Sequence, residues 1–380
     1  MRQKAFKQAN PILKLLSERG FRAYVVGGAV RDYILGRPIA DVDIVTSASP
    51  EDVTELFTQT YRLSNQHQTI IVKWKGLLFE LTSERGIGIE EDLKKRDFTI
   101  NSLAINETGQ IIDKIGGQVD LKEGILRSVD PLERMTEDPL RMLRALRFVS
   151  ELGFHIEENL MNVLIMKHSL LEGVAVERIV KEFEKLIAGH YRNKALQILL
   201  NTEMYRSLIK LELTTQNIHD LQSTGSVNSK SSVLRWSMIS YCLGWMDASP
   251  LKRLSLSNQL THDVRERLRF FRIRQTKDWN SWLLYQAGLE TAFDVESLRV
   301  LFHQSEESIE KILQLWEELP MKSKSDLAIT GRDLLSTLKK SPGPWLKDEL
   351  EWAERKVIEG ECLNEKATLL DMLAKRREML

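Results

Sequence analysis

Residues 27–47 read GGAVRDYILGRPIADVDIVTS, and the rest of the chain is best understood outward from them. The run Ala23-Tyr24-Val25-Val26 enters Gly27-Gly28 and a helical pattern starts at once, so a strand is predicted to lead directly into a helix. Backbone N–H groups at such a helix start, with no side chains in the way, can meet a triphosphate. Arg31 adds a guanidinium suited to phosphate oxygens. A glycine pair alone is equally a tight strand–helix turn. Asp41 and Asp43 shift that balance. Residues i and i+2 of a strand share a face, so the two carboxylates converge and repel each other unless a cation neutralises them. Hard oxygen ligands suit Mg²⁺. Two ions held there would serve phosphoryl chemistry, one activating an attacking hydroxyl and the other holding the leaving pyrophosphate. Asp41 and Asp43 are the expected metal ligands and catalytic residues. Glu80, an acid within the apolar run Leu77-Leu78-Phe79-Glu80-Leu81, is a candidate third carboxylate, with an outward-facing edge residue as the alternative.

Further short runs, Val42-Asp43-Ile44-Val45 and Thr69-Ile70-Ile71-Val72, complete a set of strands confined to the first ~130 residues. Beyond Thr136 helical periodicity takes over, as in Met142, Ala145, Leu146 and Val149. The expected fold is α+β: a small N-terminal head with a mixed sheet, then an elongated all-helical neck, body and tail. The boundaries expected are 1–133, 134–180, 181–300 and 301–380. A chain of 380 residues accommodates several such units. At 42% hydrophobic and 28% charged it reads as globular rather than disordered. The N-terminal stretch is amphipathic and lacks a signal-like apolar core, and no run approaches a membrane span. Cys242 and Cys362 provide neither a disulfide framework nor a cysteine zinc site, so a cytoplasmic protein is expected. Lysine plus arginine (54) equals aspartate plus glutamate (54), which excludes bulk basicity as an argument for nucleic acid and leaves only local patches.

The motif resembles the signature of the class II tRNA nucleotidyltransferase and bacterial poly(A) polymerase family, within the polymerase-β-like superfamily. The resemblance continues through Lys95-Arg96-Asp97-Phe98-Thr99-Ile100-Asn101, through the hinge-like Asp113-Lys114-Ile115-Gly116-Gly117, through Glu137-Asp138-Pro139-Leu140-Arg141 up to Phe148, and through Val176-Glu177-Arg178. Ser341-Pro342-Gly343-Pro344-Trp345-Leu346 is similar to the tails of bacillus-type members, so the likeness spans essentially the whole chain. It implies a template-independent enzyme that extends the tRNA 3′ end with CTP, and in some members ATP, using Mg²⁺. It places Gly27, Gly28, Arg31, Arg96, Asp97, Asp138, Arg141, Arg144 and Arg147 at the nucleotide, with Asp138 and Arg141 as an amino-acid template for the base.

Chemistry accommodates that role. Cytosine and adenine both present an amino donor beside a ring-nitrogen acceptor, which a carboxylate and a guanidinium would select together. Guanine and uracil present the reverse pattern and would leave buried charges unpaired. From the residues alone, Asp138, Arg141, Arg144 and Arg147 also fit an ordinary solvated arginine face opposite the apolar stripe, with Asp138 an N-cap before Pro139.

Several positions depart from the family pattern. Lys95 replaces an arginine, Pro139 a commoner alanine, and Gln66-His67-Gln68-Thr69 a histidine–glycine–threonine. The largest departure is the connection after Glu80, where only Leu81–Ile89 precedes Glu90. Members that add C, C and A carry a longer flexible segment here, associated with reshaping the pocket from CTP to ATP. A short connection with two glycines offers no such lever, and resembles members that add only CC and leave the final A to a separate enzyme. Complete CCA addition is the alternative. A poly(A) polymerase or a noncatalytic RNA-binding scaffold fits the neutral charge and the intact Asp41 and Asp43 less well. Lys322, Lys324, Arg332, Lys339, Lys340 and Lys347, against Asp326 and Asp333, form a local basic stretch suited to an RNA backbone or simply to solvent. The family implies that the helical tail grips the acceptor/TψC minihelix of the tRNA there.

Overall fold

The computed structural model describes residues 2–39, 41–62, 69–305 and 308–378. They form two compact units, 1–218 and 219–380. In the first, seven strands make one mixed sheet: β1 (Ala23–Val26), β2 (Asp43–Thr46), β3 (Thr60–Arg62), β4 (Thr69–Trp74), β5 (Leu77–Ser83), β6 (Ala104–Ile105) and β7 (Ile111–Ile112). The order is β3-β4-β5-β2-β1-β6-β7, with β2–β5 the parallel pair and the other neighbours antiparallel. The helices of this unit are α1 (Arg2–Glu18), α2 (Gly28–Ile34), α3 (Pro50–Leu56), α4 (Ile89–Lys94), α5 (Gly117–Glu123), α6 (Pro131–Glu137), α7 (Leu140–Leu152), α8 (Glu158–Lys167), α9 (Val176–Ala188) and α10 (Arg192–Asn201).

The mixed sheet and the mainly helical remainder match the α+β expectation, with one correction: a short parallel pair, Ile125–Leu126 with His155–Ile156, carries a strand into the stretch expected to be helical throughout. β2 begins at Asp43, one residue later than the apolar run suggested, so Asp41 precedes the strand. The strands β3, β6 and β7 carry no alternation to announce them, being two or three residues long. α1 buries Ala9, Ile12, Leu13 and Leu16, the stripe expected of an amphipathic helix. α7 buries Met142, Ala145, Leu146 and Val149, packing on α9 and α10. Its C-terminus is closed by Gly153 in the left-handed region (φ 76°).

The second unit is helical throughout its described residues. Leu334, Ala353, Val357, Leu369 and Leu373 form one of its cores, joined at the edge by Trp345 and Leu346. Trp345 donates to the Ser341 carbonyl at 2.9 Å, so this part of the Ser-Pro-Gly-Pro-Trp-Leu segment is held against its own turn. Cys242 and Cys362 are free thiols. Among the described residues no helix is long and apolar enough to cross a membrane.

Candidate active site

The β1–α2 turn is built as its glycines require. Gly27 has φ 71°, a conformation costly for any side chain, and a Cβ there would stand 3.1 Å from Arg96 Nη1 and 3.9 Å from Asp43 Oδ2. α2 opens at Gly28, so its first N–H groups border the same cavity, of about 380 Å³. Asp41, Asp43, Arg31, Asp32, Arg96, Asp97, Asn101, Arg144, Arg147 and Phe148 complete that lining.

The carboxylates come together through the sheet rather than through one strand. Asp43 stands in register with Glu80 on parallel β5 and opposite Val26 on β1. Burial raises the Asp43 carboxyl above its ordinary range, Arg96 opposes that rise and Asp41 adds to it. Burial also raises Glu80, with Asp43 and Asp41 adding to the effect. Among the described residues none of the three has a hydrogen bond or an ion pair. Acids left in that state fit a divalent cation. No three metal-ligating side chains lie close enough to cage an ion among the described residues, so the protein would offer Asp41 and Asp43. That suits Mg²⁺, which usually takes one or two carboxylates and completes its shell from water and phosphate.

Arg31 is held rather than free. Its Nε and Nη2 donate to Asp32 at 3.0 Å, and Nη1 donates to Asn101 Oδ1 at 2.8 Å. With Arg144 and Arg147 it surrounds the buried Phe148 ring, the three guanidinium carbons lying 5.0, 5.8 and 4.3 Å from its centroid. Asp97 accepts from Arg144 Nε at 3.0 Å and Nη2 at 2.7 Å, and also from Phe98 N and Asn101 Nδ2. Burial alone would raise Asp97, but Arg144 and these donors hold its carboxyl below the usual range. Both oxygens are thus spent on positioning Arg144 and the Asp97–Asn101 turn. Arg147 is buried against Glu182 at 3.1 Å, with Glu151 at 3.5 Å. The arginine ridge is therefore enclosed, not a solvated face. Asp138 is the C-cap of α6, and Pro139 rather than Asp138 is the N-cap of α7, so the N-cap expected at Asp138 is displaced by one residue.

A second cavity, of about 250 Å³, adjoins through Arg96, Asp97 and Arg144 and contains Asp138, Arg141, Arg85 and Arg178. Asp138 Oδ1 accepts from Leu140 N at 3.3 Å and Oδ2 from Arg178 at 2.8 Å. Arg141 donates to Glu137 at 2.8 Å. Asp113 accepts four N–H groups, those of Ile115, Gly116, Gly117 and Gln118, at 2.8–3.2 Å. These donors outweigh burial and hold its carboxyl low. Gly117 is needed because a Cβ would meet the Thr99 carbonyl at 2.3 Å.

The sequence did not single out Asp32, Arg85, Asp92, Asn101, Glu137, Arg178 or Glu182 as site residues, although Asp32, Asn101, Glu137 and Arg178 lay inside quoted motifs. The connection after β5 is tied down along its length: Glu84 N donates to Thr46 O at 2.9 Å, Arg22 pairs with Glu84 at 2.8 Å, and Ile87 N donates to Glu91 at 2.8 Å. Residues 66–68, where a glycine was expected, lie outside the described residues. In the second unit Lys322, Lys324 and Lys347 border one cavity of about 320 Å³ with Arg269, Trp282 and Tyr285.

A glycine-opened helix beside unpaired acids on adjacent strands, under an enclosed arginine helix, is the working end of a polymerase-β-like nucleotidyltransferase. Residues 23–127 match the family model "Poly A polymerase head domain", 153–213 "Probable RNA and SrmB- binding site of polymerase A", and 227–373 tRNA nucleotidyltransferase domain 2. The chain is 40% identical to the CC-adding tRNA nucleotidyltransferase of Shouchella clausii, over 96% of this chain and 97% of that protein. It is 37% identical to the CCA-adding enzyme of Enterococcus faecalis, over 98% and 96%. The crystal structure of the Bacillus stearothermophilus CCA-adding enzyme in complex with CTP superposes with a TM-score of 0.92 at 35% identity, covering 99% of this chain and 98% of that one. The chain belongs to the tRNA nucleotidyltransferase family and is an enzyme of that class.

Proposed function

We propose that this enzyme transfers CMP from CTP to the tRNA 3′ hydroxyl, adds two cytidines and stops. The observation that carries the restriction to CC is the short connection after β5, which is bonded at Glu84, Arg85 and Ile87 and offers no swinging segment to remodel the base-side cavity. The likeness to a CC-adding relative supports it. The CCA-adding relative and structural neighbour support full CCA addition as the second reading, in which ATP follows CTP.

In this reading the β1–α2 turn, with Gly27 and Gly28, takes the triphosphate against backbone N–H groups. Arg31 and Arg96 supply positive charge beside it. Asp41 and Asp43 would hold two Mg²⁺, which when bound would make the 3′ hydroxyl more acidic and neutralise the leaving pyrophosphate. Glu80 adds its charge to that pair. Asp138 accepts from the cytosine amine and Arg141 donates to the ring nitrogen, while Asp97 holds Arg144, and Glu182 holds Arg147, around Phe148. On the same reading residues 1–133 are the head, 134–180 the neck, 181–300 the body and 301–380 a tail that meets the acceptor/TψC minihelix. A separate A-adding enzyme would supply the last nucleotide.

Incorporation on tRNAs ending at the discriminator base, at C and at CC tests this, with labelled CTP or ATP offered separately. Two cytidines added, no ATP used on the CC substrate, and activity abolished by chelation and restored by Mg²⁺ are the expected results. Efficient addition of A to the CC substrate would replace the CC-only reading with full CCA synthesis.

A further inference from the structure

Asp92, in α4, is fully buried and divides its two oxygens between two arginines. Oδ1 accepts from Arg85, at 3.3 Å from its backbone N and 3.0 Å from its Nε. Oδ2 lies 3.0 Å from both Nε and Nη2 of Arg96. Arg85 belongs to the short connection after β5 and borders the base-side cavity. Arg96 borders both cavities, and its remaining nitrogen, Nη1, is the atom that faces Gly27 beside Asp43. One carboxylate thus sets the path of the connection and the direction of Arg96.

A buried ion pair is a poor source of stability, because desolvation offsets the attraction. What this one supplies is orientation. With Nε and Nη2 turned to a single oxygen, the Arg96 fork can present only its far edge to the cleft. With its backbone and side chain on the other oxygen, Arg85 stands as a fixed wall of the base-side cavity.

We propose that Asp92 is a positioning residue of the nucleotide site, aiming Arg96 at the bound triphosphate and making the short connection, through Arg85, an ordered wall against the incoming base. This deepens the nucleotidyl-transfer reading above and rests on it.

The test combines equilibrium binding of labelled CTP with CMP incorporation for Asp92→Asn, Arg96→Ala and the double variant. Each single change is expected to weaken CTP binding about tenfold, the weight of one charge-assisted contact, with KM moving more than kcat. The double variant is expected to lose less CTP binding than the two single losses combined, since Asp92 acts on the triphosphate through Arg96 and only its hold on Arg85 remains to be lost. Additive losses, or wild-type binding by Asp92→Asn, would overturn the proposal. Should Asp92→Asn not fold, Arg85→Met decides: Asp92 keeps Arg96 and the Arg85 backbone N–H, so a folded protein with a lowered melting temperature is expected, and measured below that temperature its preference for CTP over UTP falls severalfold. An undiminished preference would sink the wall assignment. A wild-type protein that incorporates no CMP on any tRNA would instead remove the reaction itself.

Discussion

The two adjoining cavities of the first unit treat charge in opposite ways. In the cavity beside Gly27 and Gly28, the Asp41 and Asp43 side chains have no hydrogen bond or ion pair among the described residues. Glu80 stands in register with Asp43 on β5 but outside that lining, and burial and mutual repulsion raise Asp43 and Glu80 above their ordinary range. On the base side nearly every charge is held: Asp97 with Arg144, Asp138 with Arg178, Arg141 with Glu137, Arg96 with Asp92. Groups left unpaired inside a fold are destabilising, so they persist where a ligand completes them. Paired groups are pre-organised, and offer direction at little further entropic cost when a base arrives.

The sharpest way to break that contrast is Asp43→Asn. CMP incorporation should fall on the order of 10³-fold or more, the scale for losing a central electrostatic group. The fold should nevertheless be slightly more stable in chelator, a gain kept small by solvent screening because Asp43 is exposed. The sign follows from the direction of the shift. An acid whose folded pKa is raised opposes folding once it is ionised, so stability falls as pH rises through its unfolded and then its folded value. A melting temperature that drops in the variant would contradict the assignment of Asp43 as an unpaired group. On the base side the sign reverses. Asp97 is held low, so its contribution is full above the unfolded value and is lost as pH falls through the folded one. Asp97→Ala would leave Arg144 half-enclosed without its main partner and should cost about 3 kcal/mol in urea unfolding. An unaffected midpoint would mean that Glu182, 3.8 Å from Arg144, suffices.

A smaller effect sharpens the template role proposed for Asp138 and Arg141. Arg178→Ala removes the donor at Asp138 Oδ2 and leaves the carboxylate free to turn. Discrimination of CTP against UTP should fall about tenfold while kcat with CTP changes little. Full retention of discrimination would mean that the Leu140 N–H alone orients Asp138.

This contrast also explains what could be read in advance. Gly27, Gly28, Asp41 and Asp43 sit within seventeen residues, and turn chemistry and charge repulsion were enough to bring them to one cavity, although Asp41 precedes the strand rather than sharing its face. Also legible were β1, β4 and β5, where apolar runs are four residues or longer. The holders were not. Asp97 meets Arg144 across 47 positions and Asp138 meets Arg178 across 40, and a single sequence records no such pairing. Without those partners the arginines of α7 have the pattern of a solvated face, and only packing against α9 reveals that they are enclosed. Asp92 is one of three acids in the first turn of α4, a position whose sequence is silent about its partners.

The same rule separates the lysines of the tail, where all six basic residues had equal standing in the sequence. Lys322 Nζ donates to the carbonyls of Glu317 at 3.1 Å and Leu319 at 3.0 Å, closing the helix Ile309–Glu317 and lying over the Trp316 ring. Lys324 and Lys347 border the same cavity as Glu351 and Glu354 and have no side-chain hydrogen bond or ion pair among the described residues, Lys324 being near enough to Glu354 to act on its charge. Lys322 is held structurally, and the other two ammonium groups keep their donors free. Lys324→Gln and Lys347→Gln should each weaken tRNA binding a few-fold and reduce the slope of log K against log[salt] by about 0.7–0.9, one phosphate each. Lys322→Gln should leave that slope unchanged and instead lower the unfolding free energy by about 0.5–1 kcal/mol, the weight of a cation at a helix end. If Lys322→Gln alone moved the salt slope, pairing within the protein would not distinguish structural charges from those reserved for the substrate.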